Sequence, residues 1–154
     1  MNNQMDDFSI QPGVPNSYGL VGNKANSIQP GKRPLSSMSP TLVVKDGQPV
    51  ISIGAAGGPT IITQVLQAIV NILDLGMTVE QALTAPRVHN QWRPQLTVTE
   101  KSLPKSVQKS LRERGHTLYF RPFNGVTQAI KSTDGKTFEA AAEPRIIEKN
   151  KMAN

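Results

Sequence analysis

The stretch Pro49–Gly76 reads PVISIGAAGGPTIITQVLQAIVNILDLG, and its order of residue types sets the architecture. Val50, Ile51 and Ile53 make a short β-branched run, which favours a strand. Gly54, Ala55, Ala56, Gly57 and Gly58 follow with no large side chain among them. Pro59 then suits the first turn of a helix, where its missing N–H costs nothing. Ile61, Val65, Ala68 and Ile72 form one ridge at helical spacing, and Ile62, Leu66, Ile69 and Leu73 form a second beside it. A stripe this broad predicts a helix buried between layers. Gly76 closes it as a C-terminal glycine.

Working outward, Thr41–Lys45 and Pro49–Ile53 flank Asp46-Gly47, the pairing that a type I′ hairpin turn requires. Thr78 and Gln81 have capping-box spacing and predict a short helix to about Ala85, stopped by Pro86. Gln95–Thr99 and Thr117–Arg121 read as strands. Between them Pro104–Arg114 reads as an amphipathic helix with Val107 and Leu111 inward and Gly115 at its end. Val126–Ser132 and Thr137–Ala142 flank Asp134-Gly135 and predict a second hairpin. Hairpins and covering helices together give an α+β layered architecture with an antiparallel or mixed sheet.

The first forty residues are different. They hold Pro12, Pro15, Pro30, Pro34 and Pro40 with Gly13, Gly19, Gly22 and Gly31, and no sustained period. Such a stretch reads as binding loops that need a scaffold. The polar tail begins at Glu148, so residues 1–147 read as one unit and 148–154 as an appendage.

Of 154 residues, 17 are basic and 11 acidic, a formal charge of +6. The densest basic cluster (Lys101, Lys105, Lys109, Arg112, Arg114) runs along the Pro104–Arg114 helix, and aromatics are only 5%. A solvated basic face accounts for this better than a nucleic-acid site, which would interleave aromatics with the charges. The absence of cysteine excludes disulfides, thiolate zinc and a cysteine nucleophile. No apolar run reaches the ~18 residues of a membrane span.

Three segments carry chemistry. The Gly57-Gly58 turn can aim backbone N–H groups at an anion or an oxyanion beside the positive end of the following helix. A phosphate loop is excluded, because no Gly-Lys-Ser/Thr follows. A tight packing turn is the simpler account on these residues alone. Adjacent Ser36 and Ser37, stiffened by Pro34 and Pro40, offer two hydroxyl donors for a carboxylate. No Gly-x-Ser-x-Gly surrounds them, and a polar loop with capping serines is the simpler account of the segment alone. Asp6-Asp7 could meet a substrate ammonium; alone, it is a solvated acidic pair without enough neighbours for a metal. Of the only two histidines, His89 reads as a structural hydrogen-bonder and His116, after Gly115 at a helix end, as a surface residue.

Taken in order, Asn2-Asn3-Gln4-Met5-Asp6-Asp7-Phe8, then Pro30-Gly31-Lys32-Arg33-Pro34-Leu35-Ser36-Ser37-Met38-Ser39-Pro40-Thr41, then Gly54–Gly58 ahead of a helix, resemble the small subunit of gamma-glutamyltranspeptidase (glutathione hydrolase). Ala85-Pro86-Arg87 with His89, and Glu143-Pro144-Arg145, agree with it, so the resemblance covers nearly the whole chain. It implies an N-terminal-nucleophile hydrolase fold, a four-layer αββα sandwich that is incomplete in this chain. It implies γ-glutamyl transfer and hydrolysis of glutathione and related amides through a threonine acyl-enzyme. Gln4 and Asp7 match positions that hold the substrate α-ammonium, and Ser36 and Ser37 those that hold its α-carboxylate. Gly57 and Gly58 match the oxyanion hole, and Pro12–Asn23 matches a lid loop with Tyr18 as its gating aromatic.

No metal or organic cofactor is implied. The resemblance places the nucleophilic threonine upstream of this chain, and names as partners the large subunit and the upstream part of the small one. Glutathione and amino-acid or peptide acceptors are the implied substrates, with no nucleic acid and no membrane span. A periplasmic or extracellular setting is inherited from bacterial relatives, and an isolated chain is expected to lack transferase activity. The alternatives are an amide acylase of the same fold and an inactive remnant or binding chain.

Overall fold

The computed structural model describes residues 3–122 and 124–146. The polar tail from Glu148, and Asn2 at the head of the first motif, lie outside them. The elements named among the described residues are two 3-10 turns, Gln4–Asp7 and Lys24–Asn26, then seven strands and three α-helices. The strands are β1 (Thr41–Lys45), β2 (Gln48–Ala56), β3 (Val88–Asn90), β4 (Thr97–Glu100), β5 (Leu118–Arg121), β6 (Val126–Ser132) and β7 (Phe138–Ala141). The helices are α1 (Thr60–Leu73), α2 (Val79–Thr84) and α3 (Lys105–Glu113).

The larger sheet runs β1-β2-β6-β7 and is antiparallel throughout. Its β1–β2 hairpin turns at Asp46 and Gly47, with φ of 52° and 76°, the double positive φ of a type I′ turn. The smaller sheet runs β3-β4-β5. Its β4–β5 pair is parallel and is joined by a crossover through α3.

Strand alternation turns Ile51 and Ile53 of β2 and Ala129 of β6 toward α1. There Ile61, Val65, Ala68 and Ile72 meet them, and Val79, Ala82 and Leu83 of α2 complete the core. The α2 capping box is formed in both directions, Gln81 N–H to Thr78 Oγ1 at 3.1 Å and Thr78 N–H to Gln81 Oε1 at 3.0 Å.

Two expectations are revised, and one strand is added. The second ridge of α1 is largely open: Ile62, Leu66 and Leu73 are about half exposed, because the sheet and α2 lie against the other ridge, and of the second ridge Ile69 packs on the core. In α3 the inward residue is Gln108, not Val107; Gln108 Nε2 donates to the Leu103 carbonyl at 2.7 Å, and Val107 is 41% exposed. The amide is tolerated inside because the Leu103 carbonyl satisfies it, and Leu111 is half-buried beside it. Val88–Asn90, which shows no alternation in sequence, pairs with β4. The basic residues of the α3 region are all exposed, in line with a solvated face.

Candidate functional site

The irregular first forty residues are held by a few side chains rather than by a ladder. Asn26, 9% exposed, donates from Nδ2 to the Asp7 carbonyl at 2.7 Å and accepts the Leu35 N–H at Oδ1 at 3.0 Å. Its own carbonyl accepts the Ser9 N–H at 2.9 Å. One buried amide therefore joins the acidic turn to the loop of serines. Gln4 reaches the same loop, its Nε2 lying 3.7 Å from Met38 Sδ. Ser36 Oγ accepts the Met38 N–H at 3.2 Å, which fixes the bend of the serine loop.

Asp7, Ser36 and Ser37 line one cavity of about 640 Å³, together with Pro59, Ile62 and His89. Gly57, Gly58, Gln4 and Tyr18 do not line it; the glycine turn adjoins it through Pro59. Burial, and secondarily the neighbouring Asp6 charge, hold the Asp7 carboxyl above its usual range. An ammonium group entering beside it would relieve both effects.

The segment carrying Tyr18 is pinned over this region. Asp6 accepts from the Ser17 N–H at 3.1 Å and from the Ser17 hydroxyl, and Asn16 Nδ2 donates to the Asp6 carbonyl at 2.9 Å. Asn3 Nδ2 donates to the Tyr18 hydroxyl at 3.1 Å, and Gln91 Nε2 to the Tyr18 carbonyl at 3.1 Å. The phenol ring lies against Gly58, so close that a Cβ there would stand 2.7 Å from Tyr18 Cε1.

Gly57 (φ 146°) and Gly58 (φ 59°) adopt backbone conformations that only glycine takes without strain. The turn's carbonyls point inward: Ala56 O accepts Gln64 Nε2 at 3.3 Å, and Gly57 O accepts Thr60 Oγ1 at 2.8 Å. Among the described residues neither the Gly57 nor the Gly58 N–H finds an acceptor.

Behind the turn lies an ionic cluster not anticipated from sequence. Arg87 Nη2 meets Glu143 Oε2 at 2.7 Å, Arg145 Nη1 meets Glu143 Oε1 at 2.8 Å, and Arg145 Nη2 meets Glu100 Oε2 at 2.7 Å. Two positive and two negative charges balance there. Burial alone would raise the Glu143 carboxyl, but the bonds from Arg145 and Arg87 outweigh it and hold it below its usual range. Burial lowers Arg87, while for Arg145 the bonds to Glu143 and Glu100 overcome burial and raise it. Both guanidiniums also cap the end of α2 at the Leu83 carbonyl.

His89, 5% exposed, bonds to Thr63 Oγ1 at 2.9 Å through Nδ1 and to Gln91 Oε1 at 2.8 Å through Nε2. It is a bridging residue with two neutral partners. His116 is exposed and meets Thr97 Oγ1 at 3.0 Å. Among the described residues no three His, Asp or Glu side chains gather as metal ligands would, and no helix is long and apolar enough to cross a membrane.

Asn26, Gln64 and the Arg87–Glu143 cluster are the supporting residues that sequence reasoning missed. The signal within reach was the pairing of Pro-Arg at 86–87 with Glu-Pro-Arg at 143–145, two proline-marked segments with three charges and no exposed-helix pattern around them.

The family model described as gamma-glutamyltranspeptidase matches residues 1–153. The glutathione hydrolase proenzyme of Escherichia coli is 48% identical over 149 residues, covering 96% of this chain and 26% of that protein. The chain thus spans about a quarter of the length of that relative. The solved structure of a Helicobacter pylori gamma-glutamyltranspeptidase T380A mutant superposes with a TM-score of 0.88 at 46% identity, covering 94% of this chain and 80% of that one. Cephalosporin acylase from Bacillus halodurans superposes at 0.77 with 27% identity, covering 94% of this chain and 26% of that one. These neighbours have the N-terminal-nucleophile hydrolase fold, of which the α+β layers described above are a part. The chain belongs to the gamma-glutamyltranspeptidase family.

Proposed function

We propose that this chain is the part of a γ-glutamyl-transferring enzyme that grips the glutamyl head group and the oxygen of its side-chain amide. The observation that carries the reading is the meeting of Asp7, Ser36 and Ser37 at one cavity, beside a turn with two unpaired amides. Asp7 takes the α-ammonium, with Gln4, three residues before it in the same 3-10 turn, assisting from outside the cavity lining. The hydroxyls of Ser36 and Ser37 donate to the α-carboxylate. The γ-carbonyl oxygen then lies toward Gly57 and Gly58.

A threonine hydroxyl supplied by the complete enzyme attacks the γ-carbon. As the new C–O bond forms, the carbonyl π electrons move to oxygen, and the two amides stabilise that charge. Collapse restores the carbonyl and breaks the C–N bond, and the leaving amine takes up the proton that the hydroxyl lost. The resulting ester passes its acyl group to water or to the amine of an amino acid or peptide. The reading includes a lid role for Tyr18 and a periplasmic or extracellular setting for the complete enzyme. By itself the chain turns over no γ-glutamyl anilide.

The test compares γ-glutamyl and glutaryl amides of one leaving group in a complete enzyme carrying this segment. The two differ only in the α-ammonium. The expected preference for γ-glutamyl is about 10²-fold or more, because the glutaryl compound leaves a desolvated carboxylate unpaired. Asp7→Asn removes most of that preference. Equal turnover of both amides by the parent would reject the reading and favour an acylase.

A further inference from the structure

We propose that Gln64 is the positioning residue for the Gly57 and Gly58 amides, an inference that rests on the oxyanion reading above and adds to it how the two donors are aimed. In a planar trans peptide the C=O and N–H of one unit point in opposite directions. Holding the Ala56 carbonyl therefore directs the Gly57 N–H, and holding the Gly57 carbonyl directs the Gly58 N–H. Gln64 acts on both units. Its Nε2 donates to Ala56 O at 3.3 Å and to Thr60 Oγ1 at 2.9 Å, and Thr60 Oγ1 donates onward to Gly57 O at 2.8 Å.

The side chain has one orientation available. Its Oε1 accepts the Thr127 hydroxyl at 2.8 Å and Arg87 Nη1 at 3.4 Å. A guanidinium only donates, so the oxygen must face Arg87 and the NH₂ group must face the turn. Gln64 is 2% exposed and tightly enclosed: a Cβ on Gly57 would stand 3.0 Å from its Nε2, and a Cβ on Gly125 only 2.1 Å. Arg87 is locked in turn by Glu143, which also accepts the Thr127 N–H at 3.1 Å. The turn is thus tied through one amide side chain to the buried charge cluster, and its N–H groups are aimed before any substrate arrives. Pre-aimed donors of this kind are what stabilise charge that develops only in the transition state.

The test uses Gln64→Glu and Gln64→Met in a complete enzyme made by joining this segment to the upstream part of the Escherichia coli relative. Gln64→Glu keeps the shape and the acceptor toward Arg87 and Thr127 but turns an oxygen toward Ala56 O; Gln64→Met removes the donor. Both are expected to lower kcat per titrated active site by about 10²-fold, the loss typical of one misaligned oxyanion donor, with KM for a γ-glutamyl anilide within about twofold. A merely structural role would lower the yield of folded enzyme and leave kcat per titrated site unchanged, and kcat within about threefold of the parent would overturn the proposal.

A boronic acid analogue of the γ-glutamyl group separates this failure from failure of the oxyanion reading. If the parent's Gly57 and Gly58 amide resonances do not move when the tetrahedral boronate forms, the oxyanion reading itself falls, and the proposal with it. If they move equally in the parent and in Gln64→Glu, the reading stands and only the role of Gln64 falls. The 154-residue chain gives a measurement independent of activity. Gln64→Glu should shift the Gly57 and Gly58 amide resonances and leave those of Gly13 and Gly135 in place; four unmoved resonances would also overturn it.

Discussion

Replacing Glu143 by glutamine removes one negative charge from a cluster in which Arg87 and Arg145 both depend on it. Glu143 is 2% exposed and receives Arg87 at 2.7 Å, Arg145 at 2.8 Å and the Thr127 N–H at 3.1 Å. The change leaves two guanidiniums facing Glu100 alone, an uncompensated positive charge away from water. Breaking a buried pair in this way costs about 3–5 kcal/mol, against a total of about 5–15 kcal/mol for a typical domain. Urea unfolding of the chain, followed by circular dichroism, should show the midpoint falling with an unchanged slope.

The double change Arg87→Met with Glu143→Leu restores neutrality, because Arg145 and Glu100 remain paired. It should be less destabilising than Glu143→Gln, with a coupling of at least about 2 kcal/mol. The pH response follows from the same bonds. The folded Glu143 carboxyl lies below its unfolded value, so the unfolded chain binds more protons between the two. Its contribution is therefore present above the unfolded value and is lost as pH falls through the folded one. A Glu143→Gln penalty under about 1 kcal/mol, or a double change as damaging as the sum of its parts, would refute the reasoning.

Asn26→Ala removes the side chain that joins the Asp7 carbonyl to the Leu35 N–H, at a cost of about 1–3 kcal/mol for the buried partners left unpaired. Calorimetry should show weaker binding of a γ-glutamyl ligand to the complete enzyme, while amide exchange across α1 and β2 stays near that of the parent. The Asp7 carboxyl gives a second pH signature of opposite sign: its folded value is raised, so its ionisation works against the fold as pH rises through that value. Ligand binding should strengthen over the same rise, as the carboxylate forms to receive the ammonium, and an Asp7→Asn variant should lose that step in a titration of affinity against pH.

The legible parts of the fold are those specified by neighbours in sequence. Asp46-Gly47 dictates its turn, Thr78 and Gln81 dictate their cap, and the α1 ridge that packs on β2 follows from spacing alone. Val88–Asn90 was hidden because three residues are too few to show alternation and its pairing depends on β4. Gln108 was hidden because a polar residue reads as solvent-facing until its bond to the Leu103 carbonyl is known.

The site divides along the same line. Asp7, Ser36 and Ser37 stand in recognisable local motifs, so their candidacy was visible. What joins them is Asn26, an ordinary loop residue by type. The supporting charges, Arg87 and Glu143, lie 56 positions apart, and nothing local states that they pair. Supports of this kind act over long sequence separations, and a single sequence carries no record of which distant groups meet.

The fastening of Asn16, Ser17 and Tyr18 to Asp6 and Gln91 bears on how quickly molecules exchange with the cavity beneath. Swinging that segment away breaks five bonds: those of the Ser17 amide, the Ser17 hydroxyl and Asn16 with Asp6, of Asn3 with the Tyr18 hydroxyl, and of Gln91 with the Tyr18 carbonyl. At about 0.6 kcal/mol apiece, the low end for bonds near the surface, displacement costs roughly 3 kcal/mol, which leaves the raised arrangement populated about one part in a hundred. On the lid role proposed above, traffic governed by so rare an arrangement would be slow in both directions. Ligand capture would then run about two decades below unhindered encounter, and a molecule once inside would dwell for correspondingly long before escape.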